Sequence, residues 1–402
     1  MLDVLRVKIY PNSLQEIALA KSFGCSRFVW NHYLDQTNTQ YQETGKGLSY
    51  CEMAKDLTQL KKLSGYEWLQ EPTAAVLQQS LKNLETAFKN FFAKRARFPK
   101  FKGKHHKQSI RFPESCSIKT GGLKLPKLGV VKASLSKSVS GKIKSVTVSK
   151  TSTDKYFAAI LFETEDLTTT KQGKRSGIDL GLNSLVTVFD GETCHKVDTI
   201  KVTRKYAKRL RRRQQTLSRR VKGSRNRRKA IKRVAKVYEK ISNTRQDFLH
   251  KLSRKLVDEN QVIVAENLCV KGMARTKLAK SVHDAGFGML LNFIGYKLER
   301  EGGKLVQVDR FFPSTKLCSC CKFKNNELNL SVREWVCPGC QTHHDRDENA
   351  AKNLREEGIR ILTTNTVGHT EIQACGETVR LVGTCTKKQV SLKQESPVTA
   401  LA

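Results

Sequence analysis

Cysteines at positions 318, 321, 337 and 340 restrict what this chain can fold into more than any other feature. They form two Cys-x-x-Cys pairs with 15 residues between them. That spacing is the one a zinc ribbon needs. Each turn supplies two thiolates, and the intervening residues let the two knuckles face each other and complete a tetrahedron. Leu328, Leu330, Val332, Trp335 and Val336 lie between the knuckles and alternate as short strands do. Four thiolates leave no open position on the ion, so the metal is structural, and such a site contributes on the order of 10 kcal/mol to a small fold. Cys320 sits between the ligands as a spare thiol. Directly behind the ribbon, His344-Asp-Arg-Asp-Glu-Asn-Ala-Ala351 opens a helix, with Asp347 as the candidate metal-binding acid and His344 and Asp345 as supporting residues. Small residues and the amides Asn349 and Asn353 suit that helix to close packing.

Charge narrows the partner. The 402 residues hold 74 Lys or Arg against 37 Asp or Glu, a formal charge of +37. Residues 201–240 alone carry 19 of the cations and a single acid, Glu239. Such a surface binds polyanions by releasing their counterions. No apolar run approaches the roughly 20 residues that span a bilayer, so a membrane is not expected as partner. The first ten residues alternate like a strand and lack the build of a signal peptide. Twelve cysteines, four at metal spacing, fit a reducing cytoplasm better than a disulfide framework.

With 38% hydrophobic residues the chain can bury real cores, and its length allows two or three domains. A strand over residues 1–10 ends at Pro11. Asn12 or Ser13 then caps a helix carrying Leu14, Ile17, Ala18 and Phe23, and a second helix from about Cys25 presents Phe28, Val29, Trp30, Tyr33 and Leu34. Ser49 to Glu52 has the spacing of a capping box. After Pro72 a long helix shows Ala74, Leu77, Leu81, Leu84, Phe88 and Phe91 at helical intervals. Residues 11–95 thus read as a helical unit, while 1–10 and 96–166 read as a small barrel or sandwich with turns at Gly121-Gly122 and Ser140-Gly141. A polar linker, Leu167 to Arg175, follows. Residues 177–189 read as a hairpin, and 201–258 as a basic helical hairpin broken at Gly223-Ser224. Gln261 to Leu268 reads as a buried strand that ends on an acid, and residues 363–402 as a polar, loosely ordered tail.

Three acids stand out. Asp179 lies in a strand of small residues, Glu266 ends an apolar strand, and Asp347 opens a helix. Asp, Glu, Asp in this order is the pattern of an RNase H-like nuclease. Converging carboxylates are tolerated where divalent cations neutralise them, and two ions about 4 Å apart activate water on a phosphodiester. Candidate phosphate contacts are Arg211, Arg212, Arg213, Arg219, Arg220, Arg227 and Arg228 on the hairpin. Arg97, Lys100, Lys102, Lys104 and Arg111 mix with Phe98, Phe101 and Phe112, as on surfaces that stack bases.

These residues together resemble a known family. Gly177-Ile-Asp-Leu-Gly181, Ala265-Glu-Asn-Leu268, Pro313-Ser-Thr-Lys-Leu-Cys318 and Cys337-Pro-Gly-Cys340 leading into His344 to Ala351 resemble the transposon-encoded TnpB (OrfB) proteins. Phe23 to Asn31 and Gly368 to Gly376 extend the resemblance over nearly the whole chain. It implies an α+β multidomain protein. A β-barrel wedge domain, 1–10 and 96–166, would be interrupted by a helical recognition domain, 11–95. A RuvC-type nuclease domain, 172–310 and 344–362, would carry a zinc ribbon at 311–343. It also implies a prokaryotic RNA-guided DNA endonuclease that uses a guide RNA derived from the transposon end to cut double-stranded DNA, acting as a monomer or a dimer. Its catalytic acids would be Asp179, Glu266 and Asp347 on magnesium, two ions in number, and its structural zinc ligands Cys318, Cys321, Cys337 and Cys340. Lys322 and Gln341 stand where the family usually has glycine after each second cysteine. A nuclease-idle RNA-guided repressor and a transposase or recombinase are the alternatives.

Overall fold

The computed structural model describes residues 2–105, 107–136, 139, 141–164, 172–329 and 331–367, with residues 365–367 described by backbone only. Ser140, Leu330, the first part of the linker and the Gly368 to Gly376 motif lie outside the described residues.

Strand β1 (Leu2–Tyr10) leads into helix α1 (Ser13–Thr44). Asn12 caps α1, exchanging side-chain and backbone hydrogen bonds with Gln15 in a capping box. The two helices expected here are one 32-residue helix. The periodicity breaks because α1 serves two cores. Leu19 and Phe23 pack on a β-sheet, while Val29, Trp30, Tyr33 and Leu34 pack against other helices, and Leu14 and Ile17 stay exposed. Those partner helices are α2 (Tyr50–Leu60), with the Ser49–Glu52 box in place, and α3 (Ala74–Phe92), which contributes Leu77, Leu81 and Leu84.

Strands β2 (Gln108–Phe112), β3 (Ser117–Lys119), β4 (Gly122–Leu125), β5 (Gly129–Ser134), β6 (Ile143–Lys150) and β7 (Tyr156–Glu163) join β1 in a seven-stranded sheet. The order is β2-β6-β7-β1-β5-β4-β3, and every pairing is antiparallel. The N-terminal strand is therefore central. The two end strands, β2 and β3, are neighbours in the chain, so the sheet curls around one core of Ile110, Leu123, Val131, Val146, Val148 and Ile160. Among the described residues no ladder joins β2 to β3, which leaves a curled sheet where a barrel or sandwich was expected.

The second sheet holds β8 (Lys174–Asp179), β9 (Ser184–Phe189) and β10 (Cys194–Asp198) as an antiparallel meander. Helices α4 (Val202–Ser218) and α5 (Arg225–Glu259) then form the basic hairpin, with Ser224 capping α5. Strand β11 (Asn260–Glu266) follows directly and lies parallel to β8. Helices α6 (Val270–Met273), α7 (Ala279–Ala285) and α8 (Phe287–Arg300) cross over to β12 (Lys304–Val308), parallel to β11. These crossover elements were not anticipated by the sequence reading. The sheet order is β10-β9-β8-β11-β12. One face packs on α5, α7 and α8 through Ile178, Ile263, Ala265, Leu249, Leu256, Leu290 and Ile294. The other face, with Val262, Val264, Val306 and Val308, receives the last helix.

The ribbon adds β13 (Glu334–Val336) paired with β14 (His343–Asp345), and α9 (Arg346–Val367) closes the described chain. Residues 363–367, expected in the tail, are the last turn of α9; the rest of the tail lies outside the described residues. No helix among the described residues is long and apolar enough to cross a membrane.

Candidate functional site

Two parallel neighbours, β8 and β11, end on acids. Ala265 stands opposite Ile178, so Glu266 comes level with Asp179. Side chains alternate faces along a strand. Ile178, Ile263 and Ala265 face α5 and α8, so Asp179 and Glu266 point to the other side, toward α9. Asp347, in the first turn of α9, meets them there. Asp179 is 9% exposed. Burial, and then the negative charges of Asp347 and Glu266, push its carboxyl up to about 7. Burial also raises Glu266. The three acids are thus one electrostatic group.

Close packing holds the group in place. A Cβ on Gly177 would lie 2.1 Å from the Ala351 carbonyl oxygen, and one on Gly358 would lie 2.3 Å from Val264. The glycine two residues before Asp179 is what lets α9 lie against β8. Asp345 has a different task from Asp347. Its Oδ1 accepts the backbone N–H groups of Asp347 and Glu348, both at 3.0 Å, so it caps α9. Lys196 on β10 pairs with Asp345 at 2.8 Å and Glu348 at 3.0 Å. Arg333 comes within 3.6 Å of Asp347. Neither cation was singled out in the sequence. The Asp345-x-x-Glu348 spacing could have pointed to the cap.

The ribbon sits against the same helix. Its four sulfurs lie within 4.8 Å of one another, with Cys318–Cys340 at 3.6 Å and Cys321–Cys337 at 3.5 Å. A disulfide would need about 2.05 Å, whereas the sulfurs of a zinc tetrahedron stand about 3.8 Å apart when each bond is about 2.3 Å. The residues fit zinc. The two knuckles are copies of each other. Lys322 N–H donates to Cys318 O at 3.1 Å and Gln341 N–H to Cys337 O at 2.8 Å. Cys318 N–H donates to Phe323 O and Cys337 N–H to Thr342 O, both at 2.9 Å. Lys322 and Gln341 have φ of 63° and 56°, the left-handed region where glycine is at ease. Hydrogen bonds from Thr342, side chain first, bring the Cys340 thiol down to about 6.

Side chains of α9 and its leading strand tie the ribbon down. Asn349 accepts Ser319 N–H at 2.9 Å and donates to Leu317 O at 2.7 Å, and Asn353 donates to Ser314 O and Leu317 O. Buried His344 places Nε2 3.0 Å from Cys318 Sγ and stacks at a tilt on Trp335. Cys318, Cys320 and His344 form a second possible ligand group, but it shares Cys318 with the first.

Of the candidate phosphate contacts, Arg97, Lys100, Lys104, Arg111, Arg211, Arg212, Arg219, Arg220 and Arg228 are exposed, and Arg213 is half-buried. Arg227 is engaged in the hairpin turn, donating to Leu217 O at 3.2 Å and Arg220 O at 2.9 Å. Lys102 lies 3.4 Å above the Trp30 ring, and burial brings its ammonium down to about 8. Phe98 packs edge-on against Phe88 and Phe91, while Phe101 is exposed.

A family model described as "Probable transposase" (the OrfB group) matches residues 159–277, and one described as "Cas12f1-like, TNB domain" matches 287–354. A model described as "Helix-turn-helix domain" matches residues 1–46, which here form one strand and one continuous helix. Two relatives carry the name "Putative RNA-guided DNA endonuclease". One, from Streptomyces pristinaespiralis, is 36% identical over 93% of this chain and 91% of its own. The other, InsQ of Escherichia coli K12, is 31% identical over 94% and 95%. The protein of a solved Cas12f1–sgRNA–target DNA complex matches 88% of this chain and 98% of its own, with a TM-score of 0.56 at 14% identity. That likeness concerns the fold.

Proposed function

The chain belongs to the TnpB-like (OrfB) family, and from that premise we propose that it is an RNA-guided DNA endonuclease whose cutting centre is Asp179, Glu266 and Asp347. The observation that carries this reading is the meeting of three carboxylates on one face of the second sheet, with Asp179 pushed up to about 7. Carboxylates so placed repel one another, and a divalent cation removes that repulsion. Bound there, two magnesium ions would activate the attacking water and stabilise the leaving oxygen of a phosphodiester.

The chain's own residues do the rest. The ends of β8 and β11 fix Asp179 and Glu266 side by side, and the Asp345 cap fixes the first turn of α9 and with it Asp347. Lys196 pairs with Asp345 and Glu348 and so offsets their charge beside the three acids. Arg333 lies close to Asp347, within reach of a phosphate. The order β10-β9-β8-β11-β12, with β9 antiparallel to both its neighbours β10 and β8 and with β8, β11 and β12 parallel, supports an RNase H-like, RuvC-type domain over 172–310 and 344–362. The curled sheet and the α1–α3 unit take the wedge and recognition roles, and the four thiolates hold zinc. The guide RNA comes from the transposon end, and the exposed cations of α4 and α5 bind its phosphates or those of the target.

Asp179→Ala, purified with its co-purifying RNA, is expected to lose at least ~1,000-fold in magnesium-dependent plasmid cleavage while binding target within about twofold. Undiminished cutting by that variant would overturn the assignment. Wild-type protein that binds guided target but never cuts would instead identify a repressor. Strand transfer without another recombinase would identify a transposase.

A further inference from the structure

We propose that Phe311 is a base-stacking residue that positions the single strand being cut; this rests on the nuclease reading above. Phe311 is 87% exposed, more than any other large apolar side chain among the described residues. Its neighbour shows the alternative: Phe312 packs against Val262, Val264, Val306, Val308 and Leu354. The turn that presents Phe311 is fixed on every side. Its N–H donates to Asp309 Oδ1 at 2.8 Å, Phe312 N–H donates to Asp309 O at 3.2 Å, and Ser314 N–H donates to Phe312 O at 2.8 Å. Arg310 Nε donates to Asn267 O at 3.4 Å.

The turn is placed by the acids' own sheet. It begins as β12 ends, where Val308 pairs with Glu266 and its carbonyl accepts Asn267 N–H at 3.2 Å. An aromatic ring is therefore held in water on a rigid turn, tied to the residue after Glu266 and next to a cation. A protein-docking patch needs several hundred Å² of contiguous apolar surface. Between 305 and 322 Phe311 is the one exposed large apolar side chain among the described residues, and the next along the chain, Phe323, lies against the Gly339 knuckle turn. A single ring suits a single base, because every base offers a π-face whatever the sequence. An unpaired strand is the partner this geometry fits, since a paired base has both faces covered. Phe311 would turn the backbone phosphate beside the stacked base toward Asp179, Glu266 and Asp347.

The test uses the full ribonucleoprotein with its co-purified RNA and a matching duplex, under single-turnover conditions. Phe311→Ala should cleave roughly 5- to 100-fold more slowly, as expected for loss of one stacked base. Target binding and thermal midpoint should stay unchanged, and Phe311→Trp should restore the rate. An abasic site stepped along the cut strand should slow the wild type at one position and add nothing to Phe311→Ala there. Wild-type cutting by Phe311→Ala, or additive effects at every abasic position, would overturn the proposal. So would a change in oligomeric mass accompanying Phe311→Ala, which would assign the ring to a protein contact. An inactive Asp179→Ala beside an unaffected Phe311→Ala sinks stacking alone; a fully active Asp179→Ala sinks the nuclease reading itself.

Discussion

The ribbon end of α9 and the α4–α5 hairpin both exist to meet nucleic acid in this reading, yet they are built on opposite terms. Around α9, polar side chains act on single atoms: buried Asn349, Asn353 and His344 each hold a named atom of the ribbon, and the exposed Lys196 holds two acids of the first turn. On the hairpin, Arg211, Arg212, Arg219, Arg220 and Arg228 are exposed, and its two helices are joined through a small core of Val202, Val237 and Ile241. Buried Asp284 fixes its base by accepting from Thr203 N–H and Arg245, and Lys232–Asp154 and Lys155–Glu239 pin its flank to the β6–β7 turn. The difference follows from range. Chemistry at a phosphorus atom tolerates errors of a fraction of an ångström, so its ligands need directional, short-range support. Counterion release depends on charge density along a surface and tolerates loose side chains.

That contrast can be broken. Cys337→Ser, or a strong zinc chelator, should destabilise the ribbon by at least ~3 kcal/mol. Cleavage should be lost with it, because Asp347 leaves from the same helix that the ribbon braces, while RNA affinity stays near wild type. Calorimetry beside a filter-binding assay checks both. If the variant cuts normally, the ribbon does not position the acids. Gly177→Ala comes next: with only 2.1 Å between the new Cβ and Ala351 O, α9 must move, at a cost of roughly 2–3 kcal/mol. Cutting should fall at least ~10-fold with guided target binding preserved.

The hairpin should answer differently. Replacing Arg211, Arg212 and Arg219 together with Ala should lower the slope of log affinity against log salt by about 2–3. Thermal stability should move by no more than ~0.5 kcal/mol, as surface changes usually do. The turnover of pre-bound target should hold. A fall in that turnover would show that the hairpin does more than supply charge. The smallest effect runs the other way. Gln341→Gly relieves a left-handed residue in the second knuckle and should stabilise the ribbon by about 0.5–1 kcal/mol, net of the entropy glycine adds to the unfolded chain.

Legibility in the sequence followed the same divide. Features whose signal is local were readable: the Cys-x-x-Cys pairs, the Ser49–Glu52 box, the α3 stripe, the Gly223-Ser224 break, Asp179 in a strand of small residues and Glu266 ending an apolar strand. The continuity of α1 was hidden because its buried face changes partner near Gly24, and a change of partner reads as an end. Lys196 and Arg333 could not be found because an exposed cation in a chain with 74 of them carries no mark of its own. Asp345 and Asp347 are alike by residue type, and only the direction of two backbone N–H groups tells them apart. The reason for Gly177 is equally non-local: the atoms that exclude a side chain there belong to residues 351 and 355.

The central place of β1 has a bearing on how the molecule is made. Its partners are β5 and β7, so this strand leaves the ribosome with both neighbours roughly 120 to 160 residues behind it. At about 5–20 residues per second, the strand waits on the order of ten seconds for them. The α1–α3 helices need only local contacts and can close in that interval, drawing the end of β1 toward the start of β2. Nascent chains therefore spend their most vulnerable moments with an unpaired N-terminal strand beside an already folded helical unit, and chaperone dependence should concentrate there.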